Sequence, residues 1–301
     1  SIKTDNNEIQ QIYEFLSLFY SLEQNSEDVL LYSEEKGIDT RGLDLEKLNS
    51  ESLNNKTNII DEAIYDYNNE MGISSNALIE MCVKAGFIEG SDGDTLLHKA
   101  VLSGKEDGGI ELTKFLLNLG IDINKTNKSG ETALISAIRD FDYSEDGSSQ
   151  ECAEMLIKAG ADVNIKDDYE KSAIVYAAGT KVSNKFMQLL INNGANVNET
   201  KTDGTTALMS SIIQNSINHG DGKGAELLIK NGADVNIKDI YGRTALMYAA
   251  QNDEQGNILT LIIVSGGSLN DKDMDGNTAL LYAQDAKNIT AEKILRKAGA
   301  K

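Results

Sequence analysis

Proline and tryptophan are missing altogether from the 301 residues, and histidine and cysteine occur only twice each. The lack of proline removes any Pro-rich linker and argues for one continuous body. His98 and His219 stand apart in the sequence, and Cys82 and Cys152 are far from both. Two such histidines and two distant thiols do not make a convincing zinc site. No run of 18 apolar residues exists, so no membrane-spanning helix is expected, and no signal-peptide pattern is visible. P-loop, Gly-x-Ser-x-Gly and dinucleotide fingerprints are absent as well. No catalytic residue, metal ligand or cofactor is assigned, and a non-enzymatic role is expected. Basic charge is also scarce. There are 28 Lys and Arg against 48 Asp and Glu, a formal net charge of -20, and 18 of the acids but only 6 of the bases fall in the first ninety residues. Such a surface repels phosphate backbones and anionic lipids, so neither nucleic acid nor membrane is an expected partner. A basic protein partner is compatible with it, although acidity alone also keeps a protein in solution.

What is present in abundance is one phrase, returned to six times. Its opening is clearest at Gly204-Thr205-Thr206-Ala207-Leu208, Gly242-Arg243-Thr244-Ala245-Leu246 and Gly276-Asn277-Thr278-Ala279-Leu280. Its close is clearest at Gly160-Ala161-Asp162-Val163-Asn164 and Gly232-Ala233-Asp234-Val235-Asn236. The closing glycines are 120, 160, 194, 232, 266 and 299, and each of the first five is followed twelve residues later by Thr or Ser, at 132, 172, 206, 244 and 278. The connector therefore keeps its length. All variation lies between Thr and Gly, where the distance is 21 in the last unit but 25, 28 and 26 in the first, second and fourth. The additions lie near Gly104–Gly109, Phe141–Gln150 and Ser216–Gly224, rich in Gly, Asp, Glu and Ser.

The fifth unit shows the local logic. Asp239 and Gly242 bracket a tight turn. Thr244 stands where a helix N-cap belongs, its hydroxyl expected to take a first-turn N–H. Ala245, Leu246, Ala249 and Ala250 then recur at helical spacing, and Gln251 to Gly256 breaks the helix. Ile258, Leu259, Leu261, Ile262 and Ile263 form a second helix that Gly266 ends. One turn with two antiparallel helices cannot bury its apolar faces alone, so stacking is required.

These residues resemble the ankyrin repeat, whose phrase is D-x-x-G-x-T-P-L-H-x-A over about 33 residues. The resemblance covers residues 91–301 in six units. It implies an all-α, ankyrin-type helical solenoid with β-turn or hairpin fingers. Two departures stand out. The family's Pro after Thr is replaced by Ala, or by Leu96 in the first unit, and its His survives only as His98; the position otherwise holds Ile135, Val175, Met209, Met247 or Leu281. The turn-to-turn bonding that this His supports is therefore not expected for most of the array.

Residues 1–58 lack the phrase and read as an N-terminal helical cap, with Ile9, Ile12, Tyr13, Leu16, Phe19 and Tyr20 on one helix face. Residues 59–90 read as a degenerate repeat closing at Gly86, one 34-residue period before Gly120. Cys82 and Cys152 fall on second helices about two repeats apart. With helices roughly 8–10 Å apart, that exceeds the reach of a disulfide. Unlinked thiols favour a cytoplasmic setting, while the start at Ser1 is compatible with a removed leader. A monomer is expected. Asp271-x-Asp273-x-Asp275-Gly276 matches the opening of a calcium loop, but the twelfth position, where a bidentate Glu is needed, is Tyr282. It reads as a repeat turn.

The resemblance also implies a function: a scaffold that binds a partner protein on a concave face of first helices and on the finger tips. By position in the phrase, the contact residues are Asp168, Tyr169, Lys171, Asp203, Ile240, Tyr241, Arg243 and Met274. Tyr176, Tyr248 and Tyr282, which recur at one place in the first helices, are expected to pack. Two alternatives stand beside the scaffold. One is an acidic inhibitor or antitoxin-like protein masking a basic enzyme. The other is a separate activity in residues 1–58 that the array delivers. The third unit departs most, with Glu170 for the turn Gly, Ser172 for Thr, and Gly179 after Ala177-Ala178.

Overall fold

The structure is a computed structural model that describes residues 79, 83, 89–90, 92–103, 108–141, 147–180, 184–218 and 222–301. The expected N-terminal cap, nearly all of the expected degenerate repeat, Cys82, His219 and the centres of the three additions lie outside the described residues. Twelve helices are described: α1 Leu96–Leu102, α2 Gly108–Asn118, α3 Ala133–Asp140, α4 Ser148–Lys158, α5 Ala173–Ala178, α6 Asn184–Asn192, α7 Ala207–Asn218, α8 Lys223–Lys230, α9 Ala245–Asn252, α10 Asn257–Val264, α11 Ala279–Asp285 and α12 Ile289–Ala298. They fall two to a phrase along the sequence, and the fold is all-α. Extended structure among the described residues is limited to isolated antiparallel bridges at the finger bases, Glu89 with Thr95, Thr126 with Thr132, Thr200 with Thr206 and Lys238 with Thr244.

The described residues fall into two compact units, the first running to Ala137 with 147–161, the second holding 138–141 and 162–301. In the first, α1 packs on α2 and both pack on α4. Leu96, Leu97, Leu112, Leu116 and Leu156 are buried there. Cys152 is buried too, and its sulfur accepts a hydrogen bond from the Thr113 hydroxyl at 3.6 Å. His98, the family histidine, bridges Thr95 Oγ1 at 2.7 Å and the Glu131 carbonyl of the next finger at 2.8 Å.

In the second unit each helix pair packs on the next, first helix on first and second on second. Ala177, Ala178, Ala249, Ala250 and Ala283 are buried in the first helices. Small side chains there let those helices approach closely, and the tightest repeat-to-repeat packing runs along α5, α7, α9 and α11. The second helices contribute larger residues: Phe186 and Leu190, Leu228, Ile258, Leu259 and Ile262, and Leu295, all buried. Burying each is worth about 1.5–3 kcal/mol before ordering costs. Phe141 adds an edge-to-face contact with Phe186 at 5.1 Å.

Consecutive repeats of this unit are also stitched by asparagines. Asn164 donates its amide to the Gly194 carbonyl at 3.0 Å, and its oxygen accepts from Asn196 N at 2.9 Å. Asn198 does the same with Gly232 and Asp234, and Asn236 with Gly266 and Ser268. These are the last residues of the Gly-Ala-Asp-Val-Asn close, so the phrase carries its own connector.

Two expectations about turns need revision or refinement. Thr244 does occupy the N-cap, but its hydroxyl caps nothing and is buried without a hydrogen-bond partner. The amide of Met247 goes instead to the Thr244 carbonyl at 3.0 Å. Ser172 behaves alike, with Val175 N on its carbonyl at 3.1 Å. Thr95, Thr132 and Thr206 do cap with their hydroxyls. The second concerns Glu170, which takes the left-handed φ of 60° that Gly204, Gly242 and Gly276 supply elsewhere.

Candidate functional site

Each finger is built on the same hydrogen bonds. In the fifth, Asp239 N donates to the Arg243 carbonyl at 3.0 Å and Gly242 N to the Asp239 carbonyl at 2.9 Å. The Asp239 side chain then fixes the tip, because its Oδ1 accepts from Tyr241 N at 2.9 Å and Arg243 N at 2.8 Å. Oδ2 accepts from Tyr248 Oη at 2.8 Å. The same bracket recurs from Asp167 to Tyr176 and from Asp273 to Tyr282, always nine residues on. Tyr176, Tyr248 and Tyr282 therefore brace the fingers from the first helices. Burial pushes the Tyr282 hydroxyl up, and its hydrogen bond to Asp273 adds to this, reaching about 12. Tyr248 is raised by the same two causes, with Asp239 as partner. Burial works against the Asp273 carboxylate, but hydrogen bonds from Tyr282 and Asn277 outweigh it and hold its pKa below the usual range. That carboxylate is fully engaged, in keeping with a repeat turn and not a calcium loop.

Four of the eight expected contact residues are large apolar side chains on the tips, and all four are exposed: Tyr169 63%, Ile240 50%, Tyr241 55% and Met274 77%. Asp168 and Asp203 are exposed beside them. Lys171 and Arg243 are half-buried and already stacked. The Lys171 Nζ lies 5.5 Å from the Tyr169 ring centre and 5.1 Å from that of Tyr176. The Arg243 guanidinium lies 4.8 Å from Tyr241 and 4.7 Å from Tyr248. Its Nε also pairs with Asp239 Oδ2 at 2.8 Å. Burial disfavours this cation, yet the Asp239 hydrogen bond wins and its pKa is raised. Sequence reasoning put the tip and its flank on one surface. It missed that an aromatic on the helix completes an aromatic–cation–aromatic stack. The signal was available as Asp-x-Tyr-x-Lys/Arg at 167–171 and 239–243, each with a Tyr nine residues after the Asp.

The fourth finger breaks the pattern. Lys201 stands where the third, fifth and sixth fingers carry Asp, and Ser210 where their first helices carry Tyr. A cleft of about 270 Å³ opens there, lined by Lys171, Tyr176, Gly179, Lys201, Ser210 and Gln214 among others. It exists for two reasons. Serine is far smaller than tyrosine. In addition, α5 is six residues long and stops at Gly179, whereas α7 has twelve and runs on past it. Burial lowers the pKa of the Lys201 ammonium; Asp203 opposes this and Lys171 adds to it. The Ser210 hydroxyl is buried and has no hydrogen-bond partner.

Neighbouring fingers of the second unit are joined through main-chain atoms. Thr202 N and Oγ1 donate to the Tyr169 carbonyl at 3.3 and 2.8 Å. Ile240 N donates to the Asp203 carbonyl at 3.0 Å, and Met274 N to the Tyr241 carbonyl at 2.9 Å. Finger-to-finger bonding therefore persists where the family histidine is absent. Among the described residues, no three His, Cys, Asp or Glu side chains are grouped so as to hold a metal ion, and no helix is long and apolar enough to cross a membrane.

Comparison with known proteins agrees with this geometry. The family model described as ankyrin repeats (3 copies) matches residues 51–167, 141–239 and 216–301. Ankyrin repeat and SOCS box protein 6 of Homo sapiens is 30% identical over 124 residues, covering 40% of this chain and 27% of that protein. Neurogenic locus notch homolog protein 1 of Mus musculus is 30% identical over 132 residues, 40% of this chain but 5% of its own length. Putative ankyrin repeat protein L86 of Acanthamoeba polyphaga mimivirus is 29% identical over 119 residues, with 35% and 21% covered. The chain thus spans about a quarter or less of these relatives. A crystal structure of an ankyrin repeat domain from Acinetobacter baumannii superimposes with a TM-score of 0.57 at 31% identity, covering 68% of this chain and 98% of that one. Ankyrin repeats are generally protein–protein interaction modules. With the phrase in register, the braced fingers and a family model matched from residue 51 to 301, the chain is a member of the ankyrin-repeat family.

Proposed function

We propose that this chain is a non-enzymatic scaffold that grips a partner protein with the finger tips and first helices of residues 162–301. The observation that carries this reading is the set of exposed Tyr169, Ile240, Tyr241 and Met274 side chains on fingers whose backbones are held rigid by buried carboxylates. Exposed aromatics on a pre-ordered frame lose little freedom on binding, which is what makes them energetic anchors. Lys171 and Arg243, stacked between rings, add cations that are already positioned. Asp168 and Asp203 supply acidic neighbours to the same tips.

The test is affinity capture from native lysate with the wild type and with a variant carrying Tyr169→Ala, Ile240→Ser, Tyr241→Ala and Met274→Ser. The expected result is a partner held by the wild type and lost by the variant, with thermal melts unchanged. A partner that the variant retains removes the tips from the interface. Steep loss of capture with added salt would move the reading towards the masking of a basic enzyme.

A further inference from the structure

The cleft between the third and fourth fingers sets positive charge into an acidic surface. Two ammonium groups, Lys171 and Lys201, line one small space, and neither has an ion-pair partner among the described residues. Both are half-buried. Lys171 is held in place by the rings of Tyr169 and Tyr176. Ser210 lines the same cleft and offers a buried hydroxyl with no partner. Leaving such a group unsatisfied costs roughly 1–3 kcal/mol, so the site is poised for an acceptor. The neighbouring repeats indicate which acceptor fits. In repeats three, five and six this place is filled by a carboxylate and the phenol bonded to it. In repeat four the charge is reversed to Lys201 and the phenol is cut back to Ser210, which opens room beside two cations.

We propose that this cleft binds a carboxylate side chain presented by the partner protein, an Asp or Glu held by Lys171 and Lys201 with the Ser210 hydroxyl as a third donor. This rests on the scaffold reading and names the partner chemistry at one point of its surface. The net charge of -20 does not forbid it. At about 0.15 M salt the Debye length is about 8 Å, so acids farther off than that are largely screened from the cleft, and Asp203 is the carboxylate that acts on Lys201.

Chemical-shift mapping on the full chain tests the proposal directly. The probes are N-acetylated, C-amidated hexaglutamate, the matching hexaglutamine, and inorganic phosphate, each at about 0.15 M salt. Hexaglutamate should shift the amides of Lys171, Gly179, Lys201, Ser210 and Gln214 while hexaglutamine leaves them alone. Lys201→Gln should weaken the effect at least about tenfold, and Ser210→Ala by a smaller factor, as expected for lost charge-assisted hydrogen bonds. Equal shifts with hexaglutamine, shifts centred elsewhere, or a phosphate response as strong as that of hexaglutamate would each overturn it. Capture separates this inference from the reading beneath it. If Lys201→Gln keeps a partner that the tip variant loses, the carboxylate cleft falls and the scaffold stands. If hexaglutamate maps to the cleft while the tip variant keeps its partner, the cleft stands and the tips fall.

Discussion

At the scale of single residues, the finger is a machine for fixing one carboxylate. Asp273 receives Asp275 N at 3.0 Å, Asn277 N at 2.7 Å and the Tyr282 hydroxyl at 2.7 Å. Tyr282→Phe should therefore cost about 1.5–3 kcal/mol at neutral pH, the usual worth of a hydrogen bond to a charged group. The pH window follows from the two shifts. Asp273 is depressed in the folded state, so its contribution fades as pH falls below the usual carboxylate range. Tyr282 is raised to about 12, so its contribution is whole below pH 10 and disappears between about 10 and 12. Urea melts of wild type and Tyr282→Phe should thus differ clearly at pH 7 and converge towards pH 12; a constant gap would refute the bracket. Glu170 offers the opposite kind of change. Its φ of 60° strains an L-residue, and its ion pair with Lys166 is long, 3.5 Å, and exposed. Glu170→Gly should raise the melting temperature, by the equivalent of about 0.5–1 kcal/mol. Gly204→Ala should lower it, because its added Cβ would meet Asp239 Cα at 2.9 Å. How far these details could be read from the sequence differs from residue to residue. The recurrence of Tyr176, Tyr248 and Tyr282 was visible and rightly suggested packing, but the Asp nine residues before each was read only as a turn former. The Thr244 cap was misjudged because composition cannot decide whether the Met247 amide turns to the hydroxyl or to the carbonyl of the same residue.

At the scale of helices, the third repeat is the weak element. Its first helix has six residues and ends at Gly179. Its N-cap hydroxyl is unbonded, and its turn is strained at Glu170. Local opening free energy follows burial and hydrogen bonding. Amides of α5 should therefore exchange with deuterium faster than those of α7 and α9; uniform protection across the three would defeat this. The helix pairs themselves were legible, because the constant twelve residues from Gly to Thr isolate a rigid connector from the variable helical half. The cleft was not. It depends on α7 outrunning α5, a mismatch of lengths that matters only once the two lie side by side. Of the departures at Glu170, Ser172 and Gly179, the last lines the cleft that Lys171 and Lys201 share, and the other two flank Lys171 in sequence.

At the scale of the stack, cohesion in residues 162–301 comes from neighbour-to-neighbour contacts alone. Nothing in such an array substitutes for a broken interface between adjacent repeats. Asn198 binds both Gly232 and Asp234 of the following repeat. Asn198→Ala should cost about 1 kcal/mol for two exposed bonds, and it should also flatten the urea transition by loosening the coupling between repeats. An unchanged slope with only a shifted midpoint would mean that the asparagines add stability without cooperativity. Repeat count and order were plain from the returning phrase. This asparagine connector was present in every Val-Asn close, yet its role could not be inferred until the next repeat was seen facing it.

Main-chain atoms join finger to finger at Tyr169–Thr202, Asp203–Ile240 and Tyr241–Met274. The side chains of Tyr169, Ile240, Tyr241 and Met274 take no part in those bonds. Under the proposed scaffold role, an engineer diversifying a library can vary Tyr169, Ile240, Tyr241 and Met274 while the main-chain links between fingers stay in place.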